Sequence, residues 1–228
     1  MKDSETNVLE ASVRARQYGI THADSFVPGS AAAELFTLLG DIIDEISGLS
    51  AAQAQADRAY REQVAQKNDF HKQLRADVRI LARTTRAMER AMPNLHEKFR
   101  LPDGSGDRDW IAVARGFAAD AVPHRDEFVR HGLPATFFND FPDRIPSVEQ
   151  AMESVAQKFA ARVNATNALS EAVRRARKVL NDLNPVVRNV MAGDEAALAE
   201  WESASHVERP ARRKKEDGTN TNTPPANG

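Results

Sequence analysis

"VEQAMESVAQKFAARVNATNALSEAVRRARKVLNDLNPVV" runs from Val148 to Val187, and its apolar spacing decides the fold. Val148, Met152, Val155, Phe159, Arg162, Thr166, Leu169, Val173, Ala176, Leu180, Leu183, Val187 and then Val190 advance by alternating fours and threes. That is the spacing of coiled-coil core positions along a helix. Arg162 and Thr166 interrupt the apolar run, with Val163 beside the first. A helix from about Ser147 to Met191 would span roughly 65 Å at 1.5 Å per residue, and it needs a partner of similar length. One lies between Ser30 and Pro93, where Ile46, Tyr60, Val64, Leu74, Val78, Leu81, Thr85 and Met88 fall on the same register. The middle of that segment is weaker, because Gln53, Asp57, Lys67 and His71 occupy core-register positions.

Punctuation around the two seams sets the remaining elements. A short amphipathic helix is predicted over about residues 5–18, with Val8, Leu9 and Val13 on one side. "PGS" at Pro28 to Ser30 is a helix start with Ser30 as N-cap, followed by one long helix or by two that meet near Gly48, where "SAAQ" offers a second capping box. "LPDGSGDRD", Leu101 to Asp109, reads as a loop. A helix from about Asp109 is interrupted at Pro123 and ends at Gly132. Pro134 opens a further short helix punctuated by Pro142 and Pro146, and Gly193 closes the second long helix. The domain reading is a first helical repeat over 1–92, a loop over 93–108, a second repeat over 109–194, a C-terminal capping helix over 195–206 containing Trp201, and a disordered basic and polar tail over 207–228.

The two seams coincide under a single shift of 102 residues. Ile46 matches Val148, Leu74 matches Ala176, Val78 matches Leu180 and Leu81 matches Leu183. The same shift carries "HADSFV" (His22 to Val27) onto "HRDEFV" (His124 to Val129), and it makes 14 identities over residues 7–86 without a gap. Composition alone gives about five or six, so the chain reads as an internal duplication. The fold class expected is all-α: an elongated, pseudo-twofold bundle of two long coiled-coil-like helices flanked by shorter ones. Phe26 and Phe128 are expected to be buried at equivalent positions.

Composition agrees with helices. Of 228 residues, 41% are hydrophobic and 28% charged but only 6% aromatic, and apolar segments of membrane-spanning length are missing. With 31 basic and 33 acidic residues the net charge is −2, so an anionic partner would have to be met by local clustering. The chain has no cysteine, which excludes disulfides and thiolate metal sites and agrees with a reducing compartment. The expected location is cytoplasmic, with no membrane association.

Catalytic constellations are weak. "DGSGD" lacks the Lys-Ser/Thr of a phosphate loop, no serine stands in an elbow motif, and the carboxylate pairs Asp44/Glu45 and Glu149/Glu153 read as solvated helix faces. His22, Asp24, His124 and Asp126 are candidate metal ligands, but residues two apart on a helix point to nearly opposite sides, so one ion cannot take both from the same motif. No catalytic residue, cofactor or metal is assigned.

Charge patterning is more informative. Lys72, Arg75, Arg79, Arg83, Arg86 and Arg90 advance by threes and fours along one face, and the second repeat carries Arg174, Arg175, Arg177, Lys178 and Arg188. The early parts of both long helices are acidic, so an antiparallel pair would cancel these charges, while a parallel pair would let two basic stripes converge on a phosphate backbone. Arg212, Arg213, Lys214 and Lys215 add a basic cluster in the tail. These residues are the candidates for an anionic partner.

Three stretches, "LRADVRILART" (Leu74 to Thr84), "FVRHGLPATFFNDF" (Phe128 to Phe141) and "LAEWESASHVER" (Leu198 to Arg209), resemble a group of uncharacterised bacterial all-helical proteins. That group has no assigned activity, so the resemblance implies a helical fold and carries over no chemistry. The first expectation is a non-enzymatic interaction or scaffold protein with an unidentified protein partner, self-associating through any uncovered seam. A nucleic-acid-binding protein using the basic stripe and tail is the alternative, and a metal-binding bundle stands third.

Overall fold

The computed structural model describes residues 3–104 and 106–208. Over these residues the protein is all-α with no strand, and its two longest helices pack antiparallel. In chain order the helices are α1 (Asp3–Thr21), α2 (Ala31–Ala87), α3 (Leu95–Lys98), α4 (Asp107–Ala121), α5 (Arg125–Arg130), α6 (Phe137–Val190) and α7 (Glu195–Ser205). Among the described residues no helix is long and apolar enough to cross a membrane.

The chain forms two compact units, one of residues 1–50 with 169–228 and one of residues 51–168. Each unit therefore draws on both halves of the chain, because α2 and α6 each contribute one part to either unit. In the first unit, Val8, Ala11, Ala15 and Tyr18 of α1 join Leu39, Ile43 and Ile46 of α2, Leu169 to Val187 of α6 and Trp201 of α7 in one core. Polar atoms within it are satisfied: Tyr18 Oη donates to the Ala197 carbonyl at 3.1 Å and Trp201 Nε1 to Asn184 Oδ1 at 3.1 Å. Val13, expected on the apolar side of α1, is instead 48% exposed. The buried stripe is Val8, Ala11, Ser12, Ala15 and Tyr18, and Ser12 is admitted because its hydroxyl donates to the Val8 carbonyl at 2.8 Å.

In the second unit, Leu74, Val78, Leu81 and Met88 of α2 pack with Leu95, Phe99, Trp110, Ile111, Phe117, Phe128, Phe141, Ile145 and Val148. The segment read as a 93–108 loop thus contains the single turn α3, which delivers Leu95 and Phe99 to this core. The next helix starts at Asp107, two residues ahead of its expected start.

Ser30 does cap α2, its Oγ accepting from Ala33 N at 3.3 Å, and the preceding Val27–Ser30 turn uses Pro28 and Gly29 at φ 80. The helix then runs unbroken through Gly48, so the capping box offered at Ser50 goes unused. Pro142 and Pro146 do not punctuate a separate short helix: both lie inside α6, which begins at Phe137 and not near Ser147. Each proline removes a backbone donor and costs about 3 kcal/mol. Phe137, Phe141, Ile145 and Val148, spaced by fours and a three, are all buried. At about 1.5–3 kcal/mol per large apolar side chain, that burial outweighs the two prolines.

The repeated motif closes a turn in each unit. Phe26 and Phe128 are 6% and 0% exposed. After Phe128, Gly132 at φ 95 lets Leu133 N reach the Phe128 carbonyl at 3.1 Å and Gly132 N the Val129 carbonyl at 3.0 Å, a Schellman ending of α5.

Two pairs of substitutions test this packing. A Cβ on Gly19 would lie 2.5 Å from the Phe36 ring, whereas one on Gly116 meets nothing within 4 Å. Gly19→Ala should lower thermal stability, since overpacking costs about 1–3 kcal/mol, and Gly116→Ala should raise it by about 1 kcal/mol through helix propensity. Asp77 is buried in the second unit and takes a hydrogen bond from Arg144. Burial raises its carboxyl above the usual carboxylate range, and the Arg144 contact opposes that rise only in part. Its contribution to stability is therefore full below the ordinary carboxylate pKa and lost as pH rises through the raised one. Arg144→Leu should cost about 1–3 kcal/mol near neutral pH and less in acid, and adding Asp77→Asn should recover most of that loss in urea unfolding.

Candidate functional site

The polar interruptions of the two seams are accounted for by contacts in the second unit. Gln53 Nε2 donates to Thr166 Oγ1 at 3.2 Å, and Arg162 Nε pairs with Asp57 Oδ1 at 2.5 Å. Core-register positions that are not apolar thus meet one another. Lys67 and His71 meet a different group, Asp107, which opens α4, where a carboxylate suits the helix N-terminus.

Around Asp107 the cations crowd. Lys67 Nζ lies 3.0 Å from its Oδ2 and Arg75 Nη2 3.2 Å from its Oδ1, while His71 Nε2 comes within 3.4 Å of Oδ2. That last approach lacks hydrogen-bond geometry: His71 is 4% exposed and neither ring nitrogen has a hydrogen-bond partner among the described residues. Burial lowers the His71 pKa, with Asp107 pulling the other way and Lys67 and Arg75 adding to the fall. The imidazole is accordingly neutral at neutral pH, one nitrogen a donor and the other an acceptor. Burial acts to raise the Asp107 carboxyl, but the Lys67 hydrogen bond, His71 when protonated and the charges of Lys67 and Arg75 outweigh it and hold the group below its ordinary value.

The guanidinium groups of Arg75 and Arg79 lie over the Trp110 ring, 5.3 and 5.1 Å from its centroid. Asn68, His71, Lys72, Arg75, Arg79 and Asp107 together line a cavity of about 320 Å³. Three of the six predicted basic-stripe residues of α2 therefore converge on one concavity. Arg83 and Arg86 continue the stripe along the exposed helix and Arg90 lies in the turn beyond it, and none of these three has an ion-pair partner among the described residues.

The second stripe is different. Arg174 pairs with Glu171 at 2.6 Å, Arg175 with Glu45 at 2.6 Å and Arg188 with Glu202 at 2.6 Å, while Arg177 is exposed in the wall of a polar concavity beside Arg188 and Glu202. Antiparallel packing brings the acidic start of α2 to the basic end of α6, as the Glu45–Arg175 pair records. The reciprocal cancellation does not occur in the second unit. There the acidic start of α6 spends Glu149 on Arg115 at 2.6 Å, and its one ion pair with α2 among the described residues runs the other way, from Arg144 to Asp77.

The metal candidates separate into ordinary roles. His22 Nε2 lies 3.0 Å from Glu200 Oε2 and its ring sits 4.4 Å from that of Tyr18, His124 is half-buried ahead of α5, and Asp24 and Asp126 are exposed. Among the described residues no group of three or more His, Cys, Asp or Glu side chains converges to hold an ion. Arg212, Arg213, Lys214 and Lys215 lie outside the described residues. Sequence reasoning saw Lys67 and His71 only as flaws in the seam and did not single out Asp107 or Trp110. The available signal was that two polar core-register residues fall four apart beside the stripe.

Removing the carboxylate tests the electrostatics of the cluster. In Asp107→Asn the group that raises the His71 pKa is gone while Lys67 and Arg75 stay charged, so an NMR titration should find His71 ionising at lower pH than in the wild type. No protein-family model, curated protein or solved structure matches the chain.

Proposed function

We propose that the protein is a non-enzymatic helical binding protein that docks nucleic acid on the basic face of α2. One observation carries this reading. Between Phe70 and Met88, α2 has the five cations Lys72, Arg75, Arg79, Arg83 and Arg86 and one carboxylate, Asp77, which is buried and paired with Arg144. At 3.6 residues per turn the five cations fall within an arc of about 80° and along about 21 Å of helix. Between Phe70 and Met88 that row meets no exposed carboxylate of its own helix, Asp69 lying just before it, and such a row suits a polyphosphate strand. Sequence alone put a protein-binding scaffold ahead of nucleic acid; the α2 stripe, in which only Arg75 has an ion pair among the described residues, against the α6 stripe, in which Arg174, Arg175 and Arg188 each have one, favours the reverse order.

The reading includes a duplicated origin for the chain. It is supported by the recurrence of elements at the same offset: α1 with α4, α2 with α6, and α3 with α7. Equivalent side chains are buried in both repeats, including Leu39 with Phe141, Ile46 with Val148, Leu81 with Leu183, Leu95 with Ala197 and Phe99 with Trp201. Phe26 meets Phe36 at 4.9 Å and Phe128 meets Phe138 at 5.8 Å between ring centroids. On this view one copy carries a basic stripe in which Arg174, Arg175 and Arg188 are paired with carboxylates, and the other leaves Arg83 and Arg86 open to solvent.

Salt dependence is the direct test. If all five cations contact phosphates, the logarithm of the binding constant for duplex DNA should fall against log salt with a slope of about −4.5. Arg83→Gln with Arg86→Gln should make that slope shallower by about 2. Binding that ignores salt, or none at low salt, would overturn the reading.

A further inference from the structure

We infer that the cavity formed by His71, Lys72, Arg75, Arg79 and Asp107 is a phosphate-monoester site that takes the terminal phosphate of the bound strand. This rests on the basic face proposed above and assigns a distinct ligand to one end of it. The cavity occupies the Lys72 end of the stripe, and Arg83 and Arg86 continue away from it. A strand laid along the stripe would thus reach a concavity at that end, where a terminal phosphate could meet Lys72, Arg75 and Arg79 together.

Charge around the seat is in excess. Among the described residues, Asp107 is the one carboxylate lining the cavity with Lys72, Arg75 and Arg79, and its oxygens are already in contact with Lys67 and Arg75. A dianionic monoester offsets that excess better than a singly charged diester. His71 adds a buried imidazole in the cavity wall with no hydrogen-bond partner on either nitrogen among the described residues, and an unmade buried hydrogen bond is one a ligand oxygen can complete.

The other repeat argues that these polar groups are not demanded by packing. At the 102-residue offset Lys67 corresponds to Leu169, His71 to Val173, Asp107 to Glu5 and Arg79 to Asn181. Leu169 and Val173 are 0% and 5% exposed and belong to the core of their unit. Leucine and valine therefore serve the helix at matched positions. Lysine and histidine there impose a desolvation cost that a binding role accounts for.

The experiment uses the full chain and follows the His71 ring signals by NMR. Inorganic phosphate should move them saturably, while sodium chloride at matched ionic strength should not. Lys72→Gln with Arg79→Gln, both at exposed positions, should abolish the response, and Arg83→Gln with Arg86→Gln should keep it. A 5′-phosphorylated single-stranded oligonucleotide should bind about tenfold more tightly than its 5′-hydroxyl twin. In calorimetry, Lys67→Leu with His71→Val should lose phosphate binding while holding or raising the melting temperature. An equal response to chloride, or none to phosphate, overturns the site even where oligonucleotides still bind to Arg83 and Arg86 in a salt-dependent way. Equal affinity for the two oligonucleotides overturns the strand-end assignment. A lowered melting temperature in Lys67→Leu with His71→Val shows the cluster to be structural and also overturns it. Loss of oligonucleotide binding in Arg83→Gln with Arg86→Gln, with the His71 response to phosphate intact, supports the site.

Discussion

The apolar seam of each long helix fails through its middle, and the rest of the structure follows from that. No residue from 47 to 70 on α2 or from 152 to 168 on α6 is buried. Two helices of 57 and 54 residues cannot be held by a continuous knobs-into-holes interface that has no apolar centre. Burial must instead be concentrated toward the helix ends, where short helices complete a core: α1 and α7 in one unit, α3, α4 and α5 in the other. The aromatic residues are spent mainly there. Tyr18 and Trp201 serve the first core, and Phe99, Phe117, Phe128 and Phe141 the second. Phe159, on the core register of the weak stretch, remains 49% exposed, with Tyr60 as its ring neighbour at 5.8 Å.

Much of this was legible in the sequence because period and punctuation are local properties. The heptad-like register located both long helices, and Ser30 marked the start of the first through a side-chain hydrogen bond that depends on a few neighbouring residues. The failures have a common physical origin in contacts that local pattern does not contain. Pro142 and Pro146 looked like boundaries since a proline breaks an isolated helix, but the Phe137–Val148 face is fixed by a core assembled from distant helices. Leu95 and Phe99 looked like loop residues because a single helical turn is too short to show a period. Val13 looked like a core residue because three apolar side chains on α1 suggested a face, whereas small residues, Ala11 and Ala15, let the helix approach on another.

The candidate site was half legible for the same reason. A basic stripe is a one-helix pattern, so Lys72, Arg75 and Arg79 could be read from spacing alone. Whether such a stripe is available depends on which carboxylates face it. On α6, Arg174, Arg175 and Arg188 are met by Glu171, Glu45 and Glu202, at distances in sequence from 3 to 130 residues. Asp107 comes to its cations from 32 to 40 residues away. Nothing in the local pattern distinguishes the stripe that is neutralised from the one that is not.

Lys67 and His71 show how a defect in one pattern can be the substance of another. A polar residue at a core position is destabilising when unpaired, and pairing recovers only part of that loss. Gln53 and Asp57 find partners on α6 that complete them, so they account for themselves as packing. Lys67 finds Asp107, but Asp107 is shared with Arg75 and with an imidazole that makes no hydrogen bond to it. One carboxylate cannot satisfy three neighbours and also offset Lys72 and Arg79. Among the described residues the cluster thus carries more cations than carboxylates, in a unit whose buried carboxylate, Asp77, is matched by Arg144. Leu169 and Val173, 102 residues on from Lys67 and His71, are apolar and buried, so the helix makes no general demand for polar groups there, and the anion proposed for the cavity would supply the charge that Asp107 alone does not.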